Sequence, residues 1–201
     1  MNVREEYAGR FNRTLQRIAG NLERHLEDHL KSIVRVDRIS ARAKSIERFV
    51  SKSEKSYGAK AKYDDPLNQI QDQIGARIIT FYLTDVEKVK SEIERYYRPI
   101  ESRDLIPESD AEFGYVGKHY ILILPPDVIE GDMVKSDVPE FFELQIKTLF
   151  QHAWSEANHD LGYKPDGAPL SSDEKRRLAF TAAQAWGADR MFDELFRERS
   201  S

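Results

Sequence analysis

Residues 141–164 read FFELQIKTLFQHAWSEANHDLGYK, and a change of hydrophobic period inside this stretch sets the fold class. Phe142, Leu144 and Ile146 alternate with Phe141, Glu143, Gln145 and Lys147, which is the two-residue period of a strand with one buried face. Glu143, Gln145 and Lys147 then share the other face at a spacing of roughly 7 Å, suited to a cation, a base edge and phosphate more than to packing. From Leu149 onward the apolar residues fall at Leu149, Ala153, Ala157 and Leu161, with His152, Glu156 and His159 on an adjacent stripe. That is the drift of a helical face, and Gly162 is the expected helix stop. The His152, Glu156 and His159 stripe also mimics a zinc site, but no cysteine or matching third ligand accompanies it.

A chain of 201 residues suits one domain with a substantial core. Its hydrophobic content of 40% and aromatic content of 10% are those of a globular protein. No run approaches the roughly 18 apolar residues of a membrane span, and the opening MNVREEYAGR lacks the apolar stretch of a signal peptide. A cytoplasmic location is expected. The absence of cysteine excludes disulfides, thiolate metal sites and cysteine nucleophiles. Lys and Arg number 31 against 35 Asp and Glu, a net charge of −4, which argues against a wholesale basic nucleic-acid surface and leaves room for a local basic patch.

Over residues 11–33, Leu15, Ile18, Ala19, Leu22, Leu26, Leu30 and Ile33 share the face of a packing helix. His25, Asp28 and His29 are read as solvated on it. Residues 37–56, DRISARAKSIERFVSKSEKS, are read as a second helix with Ile39, Ala43, Ile46, Phe49 and Val50 inward. Lys44, Arg48 and Lys52 then repeat on another face, where their mutual repulsion is relieved by a bound polyphosphate or simply by solvent. A loop is expected over 57–68, followed by a strand in ARIITFY with Asp72 just before it and Arg77 projecting from it. An arginine in so apolar a strand is costly to bury unless paired. Thr84 to Tyr97 reads as a helix capped by Thr84, residues 98–112 as a loop, and FGYVGKHYILILPP as a turn and strand. The last helix runs from Ser172 to about Arg199, opened by SSDE. Its Ala182, Ala185, Trp186, Met191, Phe192, Leu195 and Phe196 serve packing on the core or a homo-oligomer interface.

ELQIKT followed by HAWSEANHDLGYK resembles the signature of the RelA/SpoT synthetase domain, and RAKS with a later lysine, DQIGARI and GYVGKH are similar to its other motifs. The resemblance covers about residues 39–164. It implies an α+β fold, a mixed β-sheet flanked by helices and related to nucleotidyltransferases, within a single 1–201 domain. Helices at about 11–35 and 172–199 extend it at either end. It also implies an ATP-dependent pyrophosphokinase that moves the β,γ-diphosphate of ATP to the 3′-hydroxyl of GDP or GTP with Mg²⁺. The family's hydrolase domain has no counterpart here, so product is expected to be made and not degraded. On this resemblance Arg42 and Arg77 flank the adenine, and Lys44 and Lys52 hold the phosphates, with Arg48 where many members have serine. Asp72 and Glu143 hold the metal, and Glu143 accepts or orients the hydroxyl proton. Tyr115 stacks on the acceptor base with His119 in support, and Gln145 and His152 contact that base.

The chain departs from the family in IPESDAEF, where relatives carry basic residues for the acceptor's 5′ phosphates. No basic residue stands between Arg103 and Lys118, so either one of these two substitutes or the acceptor differs. Single-domain relatives that act as toxins pyrophosphorylate the 3′ CCA end of tRNA, and on that reading an antitoxin is a further partner. A catalytically dead nucleotide-binding module is a third reading, opposed by the presence of both Asp72 and Glu143.

Overall fold

The strand expected over residues 141–147 is β7 (Phe141–Thr148), third of the five strands in the main sheet. In the computed structural model, which describes residues 2–31, 35–104, 113–115, 117–162 and 169–200, the sheet also contains β1 (Val36–Ala43), β4 (Ile74–Thr80), β5 (Pro99–Asp104) and β6 (Lys118–Ile123). Their order is β1-β4-β7-β6-β5, with β4 and β7 parallel and every other neighbouring pair antiparallel. Phe142, Leu144 and Ile146 are fully buried beneath the helices α2 (Gln16–Leu30) and α5 (Leu83–Tyr96). Ile18, Leu22 and Leu26 of the first and Val89 and Ile93 of the second close the same core. The mixed sheet flanked by helices is the expected fold class.

The N-terminal helix begins earlier than its pattern suggested. Helix α1 (Val3–Arg10) runs through one π-helical turn at Phe11–Leu15 into α2. Ile33 lies outside the described residues. His29 is not solvated, since its side chain is only 16% exposed and its ring meets that of Tyr96 edge-on at 4.1 Å.

The single helix expected over 37–56 is instead β1 followed by α3 (Ile46–Ser53). Ile39, Ala41 and Ala43 are partly buried between the exposed Arg38, Ser40 and Arg42, a strand's alternation that small and polar residues disguise. A strand ending at Ala43 and a helix starting at Ile46 leave the same apolar spacing as one helix. Pairing with β4 is the deciding interaction, because strand preference depends on cross-strand neighbours more than on the residue itself.

Two expected loops also carry structure. Residues 56–61 form a small hairpin, β2 (Ser56–Tyr57) and β3 (Lys60–Ala61), turned at Gly58 with φ 61°, a left-handed conformation that glycine adopts without steric cost. Helix α4 (Pro66–Gln69) follows. Part of the 98–112 loop is the edge strand β5, whose charges Glu101 and Arg103 blunt an otherwise open edge. Residues 105–112 lie outside the described residues.

Helix α6 is described over Leu149–Gly162, and its Ala153, Ala157 and Leu161 are exposed. Gln151 is the buried contact, bonded to Thr148 at the end of β7. Helix α7 (Ser172–Ser200) opens with a capping box: the Glu174 N–H donates to the Ser171 hydroxyl, and Glu174 accepts from the Ser171 N–H. Thr84 does not cap α5. Its backbone N–H donates to Asp193 of α7 at 2.7 Å, a partner 109 residues away and invisible to a local pattern. Ala182 of α7 is buried, while Trp186, Met191, Phe192 and Leu195 are 43–67% exposed. Among the described residues, no helix is long and apolar enough to cross a membrane.

Candidate active site

The strand register builds the site on the sheet face turned away from the α2 and α5 core. Ser40, Arg77, Gln145, His119 and Arg103 pair across the five strands in one row. Arg42, Gly75, Glu143, Ile121 and Glu101 pair in the next. Because side chains two apart on a strand share a face, both rows project to the same side.

Asp72, just ahead of β4, anchors the centre. One of its oxygens, Oδ2, is 2.9 Å from Lys44 Nζ and 2.8 Å from Lys52 Nζ. The other, Oδ1, is buried without a hydrogen-bond partner among the described residues. Burial acts to raise this carboxyl, but the charges and hydrogen bonds of Lys44 and Lys52 together outweigh it and hold it below the usual carboxylate range. Glu143 behaves alike. Burial pushes it up, while His119, 3.3 Å away, and the Gln145 amide, donating at 3.2 Å, bring it below its ordinary value.

Lys44 lies in the turn between β1 and α3, and Lys52 in the last turn of α3. The geometry of that turn depends on Tyr7 of α1, whose hydroxyl donates to the Lys44 carbonyl at 2.8 Å. The Tyr7 ring stacks on Phe49 at 3.7 Å and 3°. Nothing in the local sequence pointed to Tyr7, because its partner is 37 residues away. Arg77 donates to Glu156 at 2.8 Å and meets His152 Nδ1 at 3.2 Å. Burial, then the Arg77 charge, lowers the His152 pKa, so a neutral ring is favoured that can accept from the guanidinium.

Two cavities meet at the carboxylate pair, and both are lined by Asp72 and Glu143. One, of about 280 Å³, takes Arg42, Lys44, Arg48, Arg77 and Gln145. The other, of about 390 Å³, takes Lys52, Lys62, Tyr63, Arg103 and His119. The structure therefore brings together all the residues expected on the donor side, and Glu143, Gln145, His119 and His152 with them.

Tyr115 and Lys118 are placed elsewhere. Tyr115 is 7% exposed and lines neither cavity. Its hydroxyl donates to the carboxylate of Asp189 on α7, which also accepts from the Thr148 hydroxyl. A fully buried carboxylate that needs donors thus takes the phenol expected to stack on a base. Lys118 lines neither cavity, and its ammonium stands 5.4 Å from the centre of the Tyr120 ring.

Between them Gly117 lies directly on β7. A Cβ there would sit 2.2 Å from the Ile146 carbonyl oxygen and 2.6 Å from Lys147 Cγ. Backbone oxygen cannot retreat as a side chain can, so Gly117→Ala should push Gly117 away from the strand. The expected result is a loss of roughly 1–3 kcal/mol of stability by overpacking, read by denaturant unfolding. An unchanged midpoint would show that Gly117 has room.

Lys147 is 3% exposed and forms no ion pair among the described residues. Burial, then the Arg77 charge, pushes its pKa down from 10.5 to about 8. The unfolded chain therefore binds this proton more tightly than the folded one, and stability rises with pH from about 8 toward 10.5. Lys147→Met should raise the melting temperature at pH 7, with the gain shrinking as pH climbs through that window. A gain that grows with pH, or a loss at pH 7, would contradict the burial cost.

The fold is shared with known proteins. Residues 41–168 match the model described as the region found in RelA / SpoT proteins, and the chain belongs to that family. A GTP pyrophosphokinase of Bacillus subtilis (strain 168), YjbM, is 29% identical over 135 residues. The match covers 65% of this chain and 59% of that protein, less than two thirds of the relative's length. Two solved structures share the fold. A GTP pyrophosphokinase family protein from Streptococcus pneumoniae has a TM-score of 0.75 at 24% identity, covering 98% of this chain and 95% of its own. The Bacillus subtilis small alarmone synthetase 1 bound to its product pppGpp has a TM-score of 0.72 at 20% identity, covering 98% of each chain.

Proposed function

We propose that this protein transfers the β,γ-diphosphate of ATP to the 3′-hydroxyl of GDP or GTP. The observation that carries this reading is the pair Asp72 and Glu143 standing between two cavities that both hold cationic side chains. Family membership supports it, as do the Bacillus relative, a GTP pyrophosphokinase, and the pppGpp bound by the small alarmone synthetase.

On this reading the smaller cavity receives ATP. Arg42 and Arg77, on adjacent strands, offer guanidinium planes for the adenine, and Lys44 and Arg48 meet the phosphates, with Lys52 reaching them from the adjoining cavity beside Asp72. The acceptor's 3′ oxygen attacks the β-phosphorus, the bond from that phosphorus to the oxygen bridging to the α-phosphorus breaks, and AMP leaves with that oxygen. The hydroxyl proton passes to Glu143, whose lowered pKa keeps it ionised and ready to accept. Lys44 and Lys52 stabilise the charge gathering on the transferred group. His119 and Gln145 orient the Glu143 carboxylate.

Mg²⁺ fits the pair. It is usually held by one or two carboxylates together with substrate phosphates, and Asp72 Oδ1, without a hydrogen-bond partner among the described residues, lines the same cavities as Glu143. Held there, Mg²⁺ supplies Lewis-acid neutralisation of phosphate oxygens. The test is incubation with γ-labelled ATP and Mg²⁺, offering GDP, GTP and deacylated tRNA separately. Label in guanosine tetra- or pentaphosphate is expected. Label only in tRNA, or in no acceptor, overturns the proposal.

A further inference from the structure

The ion pair of Lys44 and Asp72 forms where two strands part. Ala43 and Ile74 are the last partners in the register of β1 and β4. Beyond them β1 turns into α3, and the chain ahead of β4 arrives from α4. One more bond spans the gap, the Lys44 N–H donating to the Gln73 carbonyl at 2.8 Å. Lys44 and Asp72, whose charges meet at 2.9 Å, are thus tied together through the backbone of the residue next to Asp72.

Gln73 is itself pinned from behind the cleft. Asp72 lines both cavities, whereas Gln73 is 2% exposed. Its amide nitrogen donates to the carbonyl of Leu67 in α4 at 2.8 Å and to that of Ile70, just after α4, at 3.1 Å. The Leu67 carbonyl also accepts from Arg10 of α1 at 3.0 Å. The remaining atom of the amide, Oε1, is buried without a hydrogen-bond partner among the described residues. An acceptor left so costs roughly 1–3 kcal/mol, which makes this amide a poor source of net stability. What its two bonds do is fix the backbone that carries Asp72 and receives Lys44.

We propose that Gln73 is a positioning residue for the donor's phosphates: anchored on α4, it holds the Lys44 ammonium and the Asp72 carboxylate in the relative placement that the polyphosphate meets. The Tyr7 hydroxyl holds the Lys44 carbonyl, so both backbone polar atoms of Lys44 are fixed, one by α1 and the other by Gln73. Without the Gln73 anchor, the last rung between the parting strands is free to open. The proposal rests on the transfer reaction given above, in which Lys44 meets the phosphates of ATP. It adds a residue that lines neither cavity and acts from the core.

The experiment is calorimetric binding of a non-hydrolysable ATP analogue, with and without Mg²⁺, to the wild type, Gln73→Met, Lys44→Met and the double variant. Gln73→Met keeps the length of the side chain and removes both donors. It is expected to raise Kd by about tenfold in either buffer, the scale of one misplaced charge-assisted contact. In the Lys44→Met background the same substitution should change Kd by less than about twofold, because a residue that acts through Lys44 has nothing left to place. Denaturant unfolding reads any loss of stability separately, and a merely structural role would move that midpoint alone. Gln73→Glu places a carboxylic acid at the same buried point, where it can donate to one of the two carbonyls. It should weaken binding less than Gln73→Met does, and it carries the test if Gln73→Met does not fold. Additive effects in the double variant, or an unchanged Kd in a folded Gln73 variant, would overturn the assignment while leaving the reaction standing. A wild type that binds the analogue in neither buffer would overturn the reaction itself, and this assignment with it.

Discussion

Replacing Glu143 by glutamine should reduce pyrophosphate transfer by roughly 10³- to 10⁴-fold, the scale of a lost general base, while the protein stays folded. The two side chains are isosteric, and the Gln145 amide can still donate to the remaining carbonyl oxygen. What disappears is the negative charge that accepts the proton and faces the phosphates. Asp72→Asn should lose activity on a similar scale but with a different signature. Its charge is what Lys44 and Lys52 converge on at 2.9 and 2.8 Å. Without it both ammoniums depend on the donor phosphates alone, so KM for ATP should hold or fall as kcat collapses. In Glu143→Gln, KM for ATP should hold. Near-normal turnover in either variant, with an unchanged melting curve, would remove the carboxylate pair from the mechanism. Both carboxylates have lowered pKa values. The wild type should therefore keep its activity down through the ordinary carboxylate range and lose it only as the pH falls below that range.

The largest loss of stability is expected from Phe49→Ala, about 3–5 kcal/mol for a fully buried aromatic. Phe49 is 0% exposed and carries the Tyr7 ring on its face, so its removal opens a cavity and unseats α1 together. At roughly 2–4 °C per kcal/mol for a chain of this size, the melting temperature should fall by about 6–20 °C. Tyr7→Phe is the companion measurement. It keeps the stack and removes only the bond to the Lys44 carbonyl, which costs about 1 kcal/mol, and it should raise KM for ATP more than it lowers the melting temperature. A loss under about 1 kcal/mol for Phe49→Ala would mean that this contact collapses without strain.

The parts of the fold that could be read in the sequence are those whose partners do not matter to the pattern. Strand β7 alternates cleanly because one face meets the core and the other the cleft, and Arg77 stands out because a charge in an apolar strand calls for a reason. Strand β1 was hidden, since Ser40, Ala41 and Ala43 are too small to show a period and only pairing with β4 distinguishes strand from helix. Strand β5 was hidden for a related reason, its charges being those of a sheet edge and of a loop alike. In the site, Lys44, Lys52, Asp72 and Glu143 lie within motifs and were legible. Tyr7 and Asp189 act across long sequence separations, so no local window contains both partners. Tyr115 was legible as a special residue, but its attachment to Asp189 depends on where α7 packs.

Because Lys44 and Lys52 share one oxygen of Asp72, the proposed binding of ATP there is an ion exchange and not a simple neutralisation. The triphosphate must displace an internal anion from two ammoniums at once, which a lone chloride or inorganic phosphate does poorly. Fewer solution anions are released than the number of lysines suggests. The salt dependence of ATP affinity should accordingly be shallow for so basic a pocket, and the cleft selective for polyphosphate at physiological ionic strength.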